Sequence, residues 1–127
     1  MPAPTDAADD EWPWPDSLDA LAAAPDSHRV CFENDRVRVV EVVVPPGETE
    51  PVHTHRWPSV MLVGRAARVR YYDGDGDVVS ESPERPDDES ATQSPPRVEW
   101  LEPEGPHAVE NVDTVPFHAT RVELKRR

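Results

Sequence analysis

Apolar and polar residues alternate along much of the chain, and this pattern predicts a series of short β-strands. The longest segment is Val37 to Val44, a valine-rich run that ends at Pro45-Pro46-Gly47. β-Branched residues favour strands, in which successive side chains point to opposite faces. Val60 to Val63 is apolar on both faces, which is typical of a buried strand. The same reasoning predicts further strands at residues 66–72, 78–79, 98–101, 107–109 and 117–124.

A helix and a hairpin turn complete the predicted elements. Residues 16–24 begin with Asp and Ser, continue with alanines and stop before Pro25. This predicts one short helix, which must dock on the strands to be stable. Asp73 to Asp77 alternates Asp with Gly and predicts a hairpin turn, because the rest of a calcium-loop pattern is missing. One helix and seven or eight strands together predict an all-β sandwich or barrel.

The chain has 127 residues, which suffices for one domain with one core. Residues 1–29 are predicted to form an acidic, Pro- and Trp-rich N-terminal arm that carries the helix. Residues 30–127 are predicted to form the barrel, with a polar loop at 80–97. Because large aromatic side chains are usually covered, we expect Trp12 and Trp14 to pack on the domain or on a second subunit.

The formal net charge of −13 limits the possible partners. Nucleic acids and anionic membranes bind basic surfaces, so neither is expected as a partner. No stretch approaches the roughly 20 apolar residues of a membrane span, and the N-terminus lacks a targeting segment, so a cytoplasmic location is expected. Cys31 is the only cysteine; it cannot form an internal disulfide and is expected to be buried as a small hydrophobe.

Two histidines, His53 and His55, are the first candidates for chemistry. Residues i and i+2 of a strand point to the same face, so the two imidazoles are expected side by side. Neighbouring neutral imidazoles suit a metal ion. The alternative is a barrel without metal, in which the histidines hydrogen-bond to each other or to water.

The spacing around this pair resembles the first motif of the cupins, G-x5-H-x-H-x3–4-E-x6-G. Gly47, His53 and His55 match it, whereas Ser59 and Val60 occupy the places where the glutamate is expected. Glu48 and Glu50 precede the pair, and the resemblance does not carry either of them over as the missing ligand.

The second cupin motif, G-x5-P-x-G-x2-H-x3-N, is matched by Pro103, Gly105, His107 and Asn111, with one residue fewer between glycine and histidine. The chain therefore resembles a small single-domain cupin over about residues 30–124. The run His-Thr-His-Arg-Trp-Pro-Ser also resembles a subgroup of bacterial cupins. We expect Asn111 to cap the turn after its strand.

This resemblance implies a cupin double-stranded β-helix, or jelly-roll barrel, with a short N-terminal helix. It implies a metal site made of His53, His55 and His107, holding a divalent transition metal such as Fe, Mn, Zn or Ni. It also implies a homodimer, since cupins commonly pair.

Four further residues are candidates for binding a small molecule, expected to be an organic acid. Arg56 could hold a carboxylate and Trp57 could form a pocket wall. Tyr71 lies on a predicted strand. His118 alternates with Thr120, Val122 and Leu124, a set expected to face the core or the pocket mouth. For each of the four, packing in the core or at the surface is the alternative.

Three functions fit these observations. The first is a three-histidine metalloenzyme with dioxygenase-like or isomerase/lyase chemistry on a small organic acid. The second is a module that binds a metal or small ligand without turning it over, and the third is a degenerate, metal-free barrel used for assembly. No separate general base is evident in the sequence.

Overall fold

The computed structural model describes residues 12–81 and 97–125. Residues 1–11 of the predicted arm, residues 82–96 of the predicted polar loop and residues 126–127 lie outside this part of the chain. The described strands are β1 His28–Glu33, β2 Val37–Val44, β3 His53–His55, β4 Ser59–Arg65, β5 Val69–Asp73, β6 Val78–Glu81, β7 Arg97–Leu101, β8 Glu104–Asn111 and β9 Phe117–Leu124.

The strands form two antiparallel sheets, which confirms the all-β prediction. One sheet has five strands in the order β1-β2-β9-β4-β7, and the other has four in the order β3-β8-β5-β6. Strands β2 and β9, each of eight residues, pair without a break from Val37–Leu124 to Val44–Phe117. Their register fixes the centre of the larger sheet, against which the core packs.

The strand β9 faces the interior with the opposite set of residues from the one predicted. Phe117, Ala119, Arg121 and Glu123 are buried, whereas the set containing His118 is only half-buried. The prediction that His118, Thr120, Val122 and Leu124 point inward is therefore wrong. The more apolar set lies on the outer face of the sheet.

A row of apolar side chains crosses this outer face from edge to edge. Register places Phe32 beside Val39, Val39 beside Val122, Val122 beside Val60, and Val60 beside Trp100. Phe32 and Trp100, at the two edges, are 55% and 53% exposed. The edge strand β1 also carries Cys31, which is exposed rather than buried as expected. Apolar side chains thus lie on both faces of this sheet, and some of the charged side chains lie on its interior face.

The N-terminal segment forms two short helical pieces where the sequence predicts one. A 3₁₀ turn covers Asp16–Leu18, and the helix α1 covers Ala20–Ala23. Asp19 between them has φ −54° and ψ 145°, and its carboxylate accepts a hydrogen bond from Leu21 N at 3.1 Å. A residue that caps a helix N-terminus has a non-helical backbone. Asp19 caps α1 in this way and therefore separates α1 from the 3₁₀ turn.

The described part of the arm packs on its own domain. Ala20 and Ala24 are 1% and 0% exposed, and the Trp14 ring lies against Gly105. Strand β1 begins at His28, inside the segment assigned to the arm. Within the described residues, no helix is both long and apolar enough to cross a membrane.

The Asp-Gly segment forms the predicted turn between β5 and β6. The Asp73 carboxylate accepts hydrogen bonds from Asp75 N at 2.9 Å and from Asp77 N at 3.0 Å. Gly76 has φ +89°, a backbone conformation that glycine adopts at little cost. Asp73 therefore directs its carboxylate to the turn's own amides.

Candidate metal centre

A cavity of about 550 Å³ opens between the two sheets. Its apolar wall includes Val42, Val44, Met61, Leu101, Val109 and Phe117. Four histidines also line it: His28, His53, His55 and His107. A mostly apolar cavity with a few convergent polar groups is the usual form of a ligand site.

The three histidines predicted from the sequence come together in the four-stranded sheet. His53 on β3 lies directly opposite His107 on β8, and their ring centroids are 4.5 Å apart. The His55 centroid lies 5.1 Å from that of His53 and 5.4 Å from that of His107. His53 and His55 are 1% exposed each, so the strand spacing places both rings in the interior.

A fourth histidine, His28, joins the cluster from the other sheet. Its ring centroid lies 4.9 Å from that of His53 and 5.4 Å from that of His55. His28 begins β1, and its side chain is buried at the end of that strand. Sequence reasoning missed it because it belongs to neither cupin motif.

Each of the four rings has its Nδ1 atom close to a protein oxygen. The distances are 2.8 Å from His53 to Pro51 O, 2.7 Å from His107 to Gly105 O, 3.1 Å from His28 to Ala24 O, and 3.3 Å from His55 to Glu123 Oε2. These acceptors assign the proton to Nδ1, and this leaves Nε2 as the ligand atom of each ring. Metal-binding histidines typically hold their second nitrogen in this way.

The possible ligand atoms form two overlapping sets. Atoms of His28, His53 and His55 all lie within 4.8 Å of one another, and so do atoms of His55, Glu104 and His107. The predicted ligands are thus divided between two sets that share His55. The assignment of His53, His55 and His107 as metal ligands stays a prediction.

Comparison with solved structures gives the fold of the chain. A cupin domain from Bordetella pertussis matches with a TM-score of 0.60 and 21% identity, over 78% of this chain and 92% of that one. An RmlC-like cupin family protein with a double-stranded β-helix fold, from Methanocaldococcus jannaschii, matches with a TM-score of 0.54 and 11% identity, over 77% and 78% of the two chains. The chain has the cupin fold.

A third neighbour of this fold is an enzyme. The polyketide cyclase RemF from Streptomyces resistomycificus matches with a TM-score of 0.50 and 19% identity, over 79% of this chain and 65% of that one. No protein-family model matches the sequence, and no curated protein is similar to it. At these identities the likeness shows the fold, and the chemistry of this chain has to come from its own residues.

Burial keeps His28, His53 and His55 neutral. It lowers the pKa of His53 from 6.5 to about 3 and the pKa of His28 from 6.5 to about 4. The pKa of His55 lies well below 6.5 for the same reason. Desolvation disfavours the charged imidazolium, and neutral imidazole is the form that binds a metal.

Glu50 adds a carboxyl group to this cluster. Its Oε1 lies 3.8 Å from His53 Nε2, and its Oε2 accepts a hydrogen bond from Ser27 Oγ at 2.7 Å. Burial raises the pKa of Glu50 from 4.5 to about 7. The cupin motif gives no reason to expect Glu50 here, yet the backbone before β3 brings it beside the histidines.

A chain of charged groups supports His55 from behind. Glu123, which is 0% exposed, accepts from Arg38 Nε at 2.5 Å through Oε1, while Oε2 faces His55. The Arg38 guanidinium also donates two hydrogen bonds, each of 3.1 Å, to the Asp19 carboxylate. The residue that caps helix α1 is therefore connected to a candidate metal ligand.

Of the four residues predicted to bind a small molecule, Tyr71 lines the cavity. Arg56, Trp57 and His118 are absent from its described lining. Arg56 Nη1 lies 4.0 Å from Asp16 Oδ1. The Arg38 guanidinium lies over the Trp57 ring, with its Cζ atom 5.1 Å from the ring centroid.

His118 forms an ion pair outside the cavity, with its Nε2 2.7 Å from Glu41 Oε2. Arg121, on the inward-facing set of the same strand, is the basic residue in the cavity wall. The alternation along β9 places either the set with His118 or the set with Arg121 in the interior. Hydrophobicity favoured the set with His118, whereas the structure buries the set with Arg121. Asn111 does cap its turn, since its Oδ1 accepts from Asp113 N at 2.8 Å.

Proposed function

We propose that this cupin binds one divalent transition metal ion within the cluster of His28, His53, His55 and His107, next to a site for a small organic acid. The orientation of the four rings carries the proposal. Every Nδ1 has a protein acceptor, and every Nε2 is left for a ligand. Histidines that only filled a core would need partners for both ring nitrogens.

The donor set fits such an ion. Neutral imidazoles suit Fe, Mn, Zn or Ni, and the cluster contains no cysteine among its described residues. A bound ion of this kind would supply Lewis-acid chemistry to an oxygen of the ligand. The protein's own part is to keep His28, His53 and His55 neutral, to fix the four rings through their Nδ1 atoms, and to exclude water with the apolar wall.

Glu50 favours an enzyme over a passive binding module. It is a buried carboxyl group that lines the same cavity and contacts the histidine cluster. Proton transfer to or from a small organic acid needs such a group close to the ligand. We therefore favour isomerase/lyase or dioxygenase-like chemistry within the proposed metalloenzyme.

The test is the metal content of untagged protein, measured by elemental mass spectrometry. About one ion per chain is expected for the wild type, and a clear loss is expected in the His53→Ala, His55→Ala double variant. His118→Ala is the matched control, because that histidine lies on β9 but outside the cavity. Its metal content should equal that of the wild type.

The fourth ligand is tested separately. His28→Ala should weaken metal binding if all four histidines hold the ion, whereas a site limited to the three motif histidines would leave the affinity unchanged. A wild-type protein that takes up no Fe, Mn, Zn or Ni under anaerobic loading would overturn the proposal. The homodimer expected from the resemblance stays a prediction.

A further inference from the structure

Arg121 is the only lysine or arginine that lines the cavity in the part of the chain that the structure describes. It is 5% exposed and reaches inward from β9. Its Nη2 donates to Ser59 Oγ at 3.0 Å and to Glu104 Oε1 at 2.9 Å. The guanidinium is thus held in place by Ser59 and by Glu104, which lies opposite His55 in the four-stranded sheet.

The Nε atom of Arg121 has no acceptor. Among the described residues, it is the only buried side-chain nitrogen or oxygen without a hydrogen-bond partner. Buried polar groups are nearly always paired, so an exception calls for an explanation. A ligand atom in the adjoining cavity would supply the missing acceptor.

From this geometry we infer that Arg121 binds the carboxylate of the organic acid and selects anionic ligands. The inference rests on the proposed function and makes it more specific. A guanidinium binds carboxylates through directed N–H groups, which a lysine ammonium cannot reproduce. The role that the sequence suggested for Arg56 thereby falls to Arg121.

The position of Arg121 also ties the ligand to the histidine cluster. Its partner Glu104 belongs to the same set of possible metal ligands as His55 and His107. A carboxylate at Arg121 would therefore lie next to the metal site. The positive charge of Arg121 also contributes to the lowered pKa of His55 and of His53.

Much of the remaining cavity wall is apolar, with Val42, Val44 and Met61 among its residues. The apolar wall suits the hydrocarbon part of the acid.

The alternative is that Arg121 only holds Glu104 in position. The two roles differ in what they predict for ligand charge, so the probes are three simple carboxylates, acetate, benzoate and succinate, each compared with its uncharged amide. Binding is measured by calorimetry to the full chain in metal-free and metal-loaded form. The variants are Arg121→Gln, Arg121→Lys and the control Arg56→Gln.

We expect at least one carboxylate to bind the wild type more tightly than its amide. Arg121→Gln should weaken the binding of that carboxylate by about 10- to 100-fold and leave amide binding unchanged. Arg56→Gln should bind like the wild type. If no carboxylate is preferred to its amide, or if Arg121→Gln binds carboxylates as the wild type does, the inference is wrong.

Metal content separates this result from the proposed function. A wild type without metal contradicts the metal proposal, while the metal-free titration still decides the role of Arg121. A wild type that binds metal but shows no carboxylate preference contradicts only the role of Arg121. Arg121→Gln that retains its metal also shows that the variant is folded.

A measurement on the native chain protects the test against a variant that fails to fold. The Nε–H resonance of Arg121, assigned by its absence in Arg121→Lys or by through-bond spectra, should move downfield on addition of the preferred carboxylate. Its amide should leave the resonance in place. A resonance that does not respond to a carboxylate that binds would refute direct contact.

Discussion

The carboxylate of Glu123 is the most informative group to perturb, because it serves two donors at once. One oxygen accepts from Arg38 and the other faces His55 Nδ1. Glu123→Gln keeps the shape of the side chain but replaces one oxygen by an NH₂ group. That NH₂ group must face one of the two donors, so one hydrogen bond is lost whichever way the amide turns.

The expected magnitude follows from these contacts. Loss of a hydrogen bond to a charged group costs about 1.5–3 kcal/mol. Arg38 keeps its two hydrogen bonds to Asp19, so its charge is not left unpaired. We therefore expect the free energy of unfolding to decrease by about 2–3 kcal/mol, below the about 3–5 kcal/mol of a fully broken buried ion pair.

The same change should weaken metal binding, since His55 would lose the acceptor that fixes its ring. Loss of such a partner typically costs about 10- to 100-fold in metal affinity. Urea denaturation of the metal-free protein measures the first effect, and competition with a chelator measures the second. Glu41→Gln is the control, because Glu41 also pairs with a histidine, His118, but outside the cavity.

Glu41→Gln should leave metal affinity unchanged and change the free energy of unfolding only slightly, as is usual for an exposed ion pair. If Glu123→Gln binds metal as tightly as the wild type, His55 is not oriented through its Nδ1 atom. The argument from the Nδ1 acceptors would then be refuted.

Three further predictions concern stability. In the metal-free protein, burial lowers the pKa of His28 to about 4 and that of His53 to about 3 from 6.5. The unfolded chain then takes up protons that the folded chain does not, so each of these two histidines should lower the free energy of unfolding, measured from urea curves, by on the order of 3 kcal/mol between about pH 7 and pH 4. Glu50, whose pKa is raised from 4.5 to about 7, acts in the opposite direction and offsets about one histidine; a stability that increases on acidification would contradict this balance. Gly76→Ala should cost only about 1 kcal/mol, because φ is +89° but no atom lies within 4 Å of the added Cβ; a loss of several kcal/mol would mean that the turn is tighter than described. Asn111→Ala should cost about 3 kcal/mol in the same assay, because it removes three hydrogen bonds to the backbone, two of them buried. A cost near zero would show that water replaces them.

The sequence predicted the fold and part of the site where local pattern and motif agree. The bounds of β2 follow directly from its valine-rich run, which ends at Pro45-Pro46-Gly47, and β9 covers residues 117–124 as predicted. The pairing of His53 with His107 follows from the two cupin motifs, which the barrel brings face to face. Both results depend on spacing, which the sequence records explicitly.

The sequence misled where the interior is polar. Hydrophobicity assigns the apolar set of β9 to the inside, but the strand turns Arg121 and Glu123 inward and exposes an apolar row outward. Burial of a charge is strongly destabilising unless a partner or a ligand compensates it. A single sequence does not show those partners. His28 and Glu50 were missed for the same reason, since they reach the site from segments that no motif marks.

The four histidines come from both sheets, which gives a bound ion a mechanical role. His28 belongs to the five-stranded sheet, whereas His53, His55 and His107 belong to the four-stranded one. An ion held by all four would join the sheets at the end of the cavity, much as a disulfide joins two segments of chain. Without metal, the two sheets could separate locally at this end, whereas a bound ion would make them open as one unit. Amide hydrogen exchange in β1 and in β3 should therefore slow together on metal loading.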